Sequence, residues 1–86
     1  MKIYLIEDNR GNYVGWDIYL GAVVVAKDSD DAKSIHPDGT DFVEWDGTGR
    51  RNYDWVDKLD EITVTEIGDA NIDQPRGVVM SDYCAG

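Results

Sequence analysis

The sequence predicts an α+β domain: a mostly antiparallel sheet of about four strands, one short helix near residues 29–36 packed on it, and a long aromatic, acidic loop. Three observations carry this prediction. Apolar runs with strand chemistry recur at Lys2–Glu7, Trp16–Ala26, Ile62–Ile67 and Gly77–Tyr83, each bounded by turn formers. Helix-start signals occur once, just after Lys27. Between Asp38 and Asp57 no period holds, yet Trp45, Tyr53 and Trp55 are concentrated there.

The first strand, KIYLIE, places Ile3 and Leu5 on one face and Tyr4 and Ile6 on the other, so both faces are expected to be at least partly covered. Asp8-Asn9-Arg10-Gly11 is turn chemistry and predicts a hairpin into the second strand. That strand is expected over Trp16–Ala26, with Trp16, Ile18, Leu20, Ala22 and Val24 sharing a face. Three consecutive valines and the aromatic pair Trp16 and Tyr19 favour strand over helix, and Gly21 marks a bend or bulge.

The helix follows from its cap. Asp28 stands three residues before Asp31, a carboxylate form of the capping box, with Ser29 an alternative N-cap. Asp30 and Asp31 face the positive end of the helix dipole. Ala32 and Ile35 are spaced to pack on the sheet, and Pro37 stops the helix after about two turns. A helix that short does not form alone in water, so the sheet must hold it.

Beyond the helix, Asp38-Gly39 and Asp46-Gly47 are turn signals, and Phe42–Trp45 fits either a short strand or part of a long loop. Tyr53, Trp55, Val56 and Leu59 form a second apolar cluster, and the loop around Trp45, Tyr53 and Trp55 is expected to cover part of the sheet face opposite the helix. Ile62–Ile67 alternates Ile and Val with Thr, the pattern of a strand with one wet face.

With 86 residues the chain makes a single domain, 1–86, whose folding buries only about 60–65% of its surface. Three Trp and five Tyr supply the large buried area per residue that so small a core needs. The formal charge of −10 argues against direct nucleic-acid binding, which needs clustered Lys and Arg, and against an anionic membrane surface. The acid is mostly Asp, 14 against 4 Glu, and Asp favours caps and turns. The surplus therefore has two readings: a loop-rich solvated surface, or an acidic face aimed at a basic partner, in the manner of a nucleic-acid mimic. One cysteine, Cys84, leaves no internal disulfide and suits a reducing compartment. The opening MKIYLIED has too short an apolar stretch for a signal peptide, and no segment reaches membrane-spanning length.

Candidate chemistry is sparse, and no cofactor is implied. His36, the sole histidine, lies near Asp38 and Asp41; one histidine and two acids would hold a divalent metal only weakly, and capping the helix C-terminus is its ordinary role. Asp28-Ser29-Asp30-Asp31 fails the calcium-loop pattern, since Ala32 and Lys33 stand where a ligand and a glycine are needed. Gly47–Arg51 holds the only basic cluster; with Arg76 it offers an alternative phosphate or nucleotide site at Arg50, Arg51 and Arg76, although no phosphate-loop pattern is present. The ordinary reading pairs these arginines with surplus aspartates. Cys84 with His36 is conceivable as a nucleophile and base, but no surrounding motif supports an enzyme. The acidic aromatic loop is the candidate protein interface: Asp38, Asp41, Glu44, Trp45, Asp46, Asp54, Trp55 and Asp57, with an exposed tryptophan as anchor inside a polar rim.

Four pieces of the chain carry a resemblance: MKIYLIE, AVVVAKDSDDAKSIHPDG, WV followed by ITVTEIGDA, and RGVVMSDYCAG. Together they resemble a family of small proteins of tailed bacteriophages. In that family a strand ending in Ala leads to an acidic helix that closes in Ile-His-Pro, here Ala26, Asp30, Asp31, Ala32, Lys33, Ile35, His36 and Pro37. Members tend to carry Asn where this chain has Cys84, which weakens the case for a catalytic thiol. The family has no established activity to transfer. The resemblance implies a non-enzymatic accessory protein of the host cytoplasm that inhibits a host defence or nucleic-acid-handling factor, as anti-CRISPR proteins do, through a basic surface on that factor. Two alternatives stand beside it: a binder or sponge for a nucleotide signal, and a structural or assembly accessory, with a homodimer pairing exposed strand edges.

Overall fold

The structure is a computed structural model that describes residues 1–11 and 17–85. Its elements are strand β1 (Lys2–Asp8), strand β2 (Ile18–Ala26), helix α1 (Ser29–Lys33), a 3-10 turn (Leu59–Glu61), strand β3 (Ile62–Asp69) and strand β4 (Gly77–Cys84). The four strands form one sheet in the order β3-β1-β2-β4, every neighbouring pair antiparallel. This is the α+β arrangement that the alternation of strand runs and turn clusters predicts. Trp16 and the start of the expected second strand lie outside the described residues.

The pairing of β1 with β2 sets Tyr4 opposite Val24 and Ile6 opposite Ala22. These four side chains are buried and share a core with Ala26, Ala32, Ile35, Trp55, Val56 and Ile62. Helix and loop therefore pack on the same face of the sheet. The expectation that the aromatic loop covers part of the opposite face is corrected: Tyr4, Ile6, Ala22, Val24 and Ala26 all point one way, and Trp55 and Val56 of the loop pack there beside Ala32 and Ile35. Among the described residues the middle of the second face, around Leu5, Val23 and Met80, carries no cover, while Val25 on the same side is fully buried. Ile3 and Leu5 there are half-buried by their strand neighbours alone, and Met80 and Leu20 are exposed.

Local chemistry accounts for the other departures. Gly21 does sit at an irregularity, the register between β2 and β4 shifting between Tyr19 and Gly21. That shift reverses side-chain parity in the first part of the strand, so Tyr19 packs against the core and Leu20, expected inside, is 45% exposed. A β-carbon at Gly21 would lie 2.6 Å from the Ile6 carbonyl oxygen, so any larger residue would force β1 and β2 apart. Asp28 is the N-cap, its Oδ1 accepting the Asp31 N–H at 2.8 Å. The reciprocal half of the box is displaced by one residue, with Asp31 Oδ2 accepting the Lys27 N–H.

The helix is shorter than residues 29–36. Ser34 ends it by folding its Oγ back onto the Asp31 carbonyl, and Ile35 leaves to bridge Asp41 in antiparallel fashion. Phe42–Trp45 is not a strand; Phe42 is half-buried against the core and Val43 is exposed. Of the second apolar cluster only Trp55 and Val56 are buried, whereas Tyr53 and Leu59 face solvent. Among the described residues no helix is long and apolar enough to cross a membrane.

Candidate functional site

The loop from Asp38 to Asp57 begins with two copies of one turn. In Asp38-Gly39-Thr40 and in Asp46-Gly47-Thr48 the aspartate Oδ1 accepts both the backbone N–H and the hydroxyl of the threonine two residues on. The central glycines take φ of 95° and 91°, the left-handed region that their sequence position requires. The bonds from Thr48 hold the Asp46 carboxyl below its ordinary range. At Asp38 burial pushes upward, but the Thr40 bonds and the neighbouring His36 outweigh it, and the net shift is also downward.

The rest of the loop is laced by its own charges. Asp57, buried, receives Arg51 Nε at 2.9 Å on Oδ2 and the Asn52 N–H on Oδ1. Arg51 lies over the Trp45 ring, 5.4 Å from its centroid, and Lys58 Nζ donates to the Trp45 carbonyl. Trp45 Nε1 donates to the Thr48 carbonyl at 2.8 Å. Glu44 accepts the Leu59 N–H, which ties the loop to the 3-10 turn. Trp55 is 1% exposed, a core residue, so the anchor role conditional on exposure does not apply to it; Trp45 is half-buried. Among the predicted interface acids, Asp38, Glu44, Asp46, Asp54 and Asp57 all hold internal bonds, and Asp41 alone has an exposed carboxylate with no hydrogen bond.

His36 does not cap the helix, because Ser34 has taken that place. Its ring is almost enclosed, with Nδ1 accepting the Asp38 N–H at 2.9 Å and Nε2 3.1 Å from Asp54 Oδ1. Nδ1 also lies 3.0 Å from Asp38 Oδ1, so each ring nitrogen faces a carboxylate. Tyr19 meets the ring edge-on at 5.7 Å and packs in turn on Tyr83. His36, Asp38 and Asp54 form the one group of metal-type ligands among the described residues. Both imidazole nitrogens are already engaged, and they open to opposite sides of the ring, so the group acts as a hydrogen-bonded clamp from the helix exit to the loop. Asp54, far along the loop, is a partner that sequence proximity did not indicate; Asp41, the neighbour expected, is not in the cluster.

The arginines of the alternative phosphate site are each occupied separately. Arg76 grips Asp31 through Nε and Nη2 and also reaches Ser34 Oγ, Arg51 holds Asp57, and Arg50 lies over Tyr53 at 4.5 Å. The Arg76 bond pulls the Asp31 carboxyl down to about 2. Elsewhere Lys2 pairs with Asp69 at 2.7 Å and Arg10 with Asp8 at 2.6 Å. By contrast Glu7, Asp30, Asp60, Asp73 and Asp82 have side chains with no hydrogen bond or ion pair among the described residues. Cys84 is a free thiol at the end of β4, paired across the sheet with Ile18 and not with His36.

No family model, curated protein or solved structure matches this chain.

Proposed function

We propose that this is a non-enzymatic binding protein whose carboxylate surface engages a basic partner. One observation carries the reading. Of the eight cationic residues, Arg10, Arg51, Arg76 and Lys2 are spent on internal carboxylates, Lys58 on a backbone carbonyl and Arg50 on a tyrosine ring, leaving Lys27 and Lys33 against a larger set of unneutralised acids. The charge of −10 is therefore presented outward and steers cationic surfaces toward the molecule. A phosphate ligand fits poorly, because each arginine it would need already has its own partner. The resemblance to small proteins of tailed bacteriophages supports a setting in the host cytoplasm, with a host defence or nucleic-acid-handling factor as the basic partner.

A pull-down from bacterial host lysate, repeated across a salt series, tests the reading. A partner rich in Lys and Arg is expected, with affinity that falls as salt rises, since exposed charges are screened within about 10 Å at 0.1 M. A partner held equally well at high salt overturns the electrostatic basis.

A further inference from the structure

The sheet face opposite the helix has a built hollow. In the register of the sheet Glu7 stands opposite Gly21 and Gly21 opposite Asp82, so two carboxylates flank a residue with no side chain in one cross-strand row. The next row is Leu5, Val23 and Met80. Together with Leu20 these residues line a hollow of about 400 Å³ over the glycine. The glycine is fixed by packing, because a β-carbon at position 21 would lie 2.6 Å from the Ile6 carbonyl oxygen. Two strand spacings separate the rows' ends by about 10 Å, too far for the carboxylates to share a proton and wide enough to admit a cation between them. Neither acid has an internal partner among the described residues.

We propose that this face is a docking site for a basic amphipathic segment of a partner protein. A Lys or Arg head lies between Glu7 and Asp82, and aliphatic residues of the segment rest on Leu5, Leu20, Val23 and Met80. The proposal depends on the reading above, of a protein that binds a basic partner, and it locates the contact. Charge complementarity selects the occupant. Lysine and arginine bury an aliphatic stem while keeping the charged head at a polar rim, which matches an apolar floor ending in two carboxylates. Methionine at the floor adapts to varied side chains. A second copy is the wrong occupant, since face-to-face pairing about a two-fold axis sets Glu7 and Asp82 of both copies against an interface with no cation to meet them.

The test uses a synthetic peptide of Lys and Leu in amphipathic order and a control with Glu replacing Lys, titrated into methyl-labelled protein followed by NMR. The Lys peptide should move the methyl signals of Leu5, Leu20, Val23 and Met80, and the Glu peptide should not. The double variant Glu7→Gln, Asp82→Asn should bind the Lys peptide at least about tenfold more weakly. The variant Asp60→Asn, Asp73→Asn, which removes the same charge elsewhere, should stay within about twofold. Thermal melts check that both variants remain folded. Equal weakening by the two variants, shifts centred on residues 38–57, or no binding of the Lys peptide each overturn the docking site. So does retention of the lysate partner by the Glu7, Asp82 variant, which leaves the broader reading standing. Absence of any basic partner in the lysate overturns the broader reading itself. Concentration-dependent dimerisation through this face, seen by light scattering and abolished by Met80→Asp, also sinks the inference.

Discussion

The two faces of one four-stranded sheet are used in opposite ways. On the face of Tyr4, Ile6, Ala22 and Val24, a single-turn helix and a long loop close over the strands and bury Ile35, Trp55 and Val56. On the face of Leu5, Val23 and Met80 the described residues leave a hollow. The same three strands carry both, and alternation alone separates them. The lesson is that apolar content does not identify the covered side. What decides it is where the glycine, the bulge and the cap direct the chain after β2. After Asp28 the chain turns back over one face, where Ala32, Ile35, Phe42, Trp55 and Val56 pack.

The difference can be tested by unequal damage. Trp55→Ala empties the centre of the covered face and should cost about 3–5 kcal/mol, most of the stability of so small a domain, read as loss of a cooperative urea transition near neutral pH. Gly21→Ala attacks the seam that both faces share. The new methyl meets the Ile6 carbonyl, and a loss of about 1–3 kcal/mol by chemical denaturation is expected, with the β1–β2 amide protons losing exchange protection first.

Asp31→Asn acts at the rim of the covered face. The Asp31 carboxyl, held at about 2 by Arg76 against an ordinary value of 3.8, contributes stability that is complete above the ordinary value and lost as pH falls through the held one. The variant should be about 1–2 kcal/mol less stable at pH 6 and should show a shallower acid branch, because it has no such carboxylate to protonate; the modest size reflects the partial exposure of Arg76. Met80→Ser on the bare face should change stability by no more than about 0.5 kcal/mol in the same titrations, since its side chain is 64% exposed. A larger loss at Met80 than at Asp31 would mean that the bare face is part of the fold's support and not a free surface.

The architecture was legible in the chain because local signals agreed with one another. Lys2–Glu7, the valine run up to Ala26, the Ile/Thr alternation after Glu61 and the final Gly-Val-Val segment became the four strands with end points moved by a residue or two. Asp28 announced its cap. Non-local facts were not legible. Ser34 shortened the helix because its hydroxyl competes for a carbonyl, a choice that Pro37 conceals in the sequence by offering a later stop. Leu20 turned outward because one extra residue in β2 changes parity, and a glycine signals that a bulge is near without saying which side chains it flips. Asp54 met His36 only because the loop folds back over the helix exit, a contact that no spacing encodes. The acids of the loop were legible as turn formers, and that is how most of them serve. Glu7 and Asp82 gave no signal at all, since their pairing across Gly21 exists only once the strand order is known.

Among the described residues strand β4 lies at the border of the sheet, paired with β2 along one side, and it contains neither Pro nor Lys. Bare borders of that kind invite another molecule's strand, and proteins commonly blunt them with the very residues missing here. A net charge of −10 on every copy opposes such pairing, so the behaviour of this border is expected to depend on acidity. As falling pH protonates the carboxylates, or as salt screens them, β4 should become adhesive before the core loosens, and turbidity should precede the loss of tryptophan fluorescence.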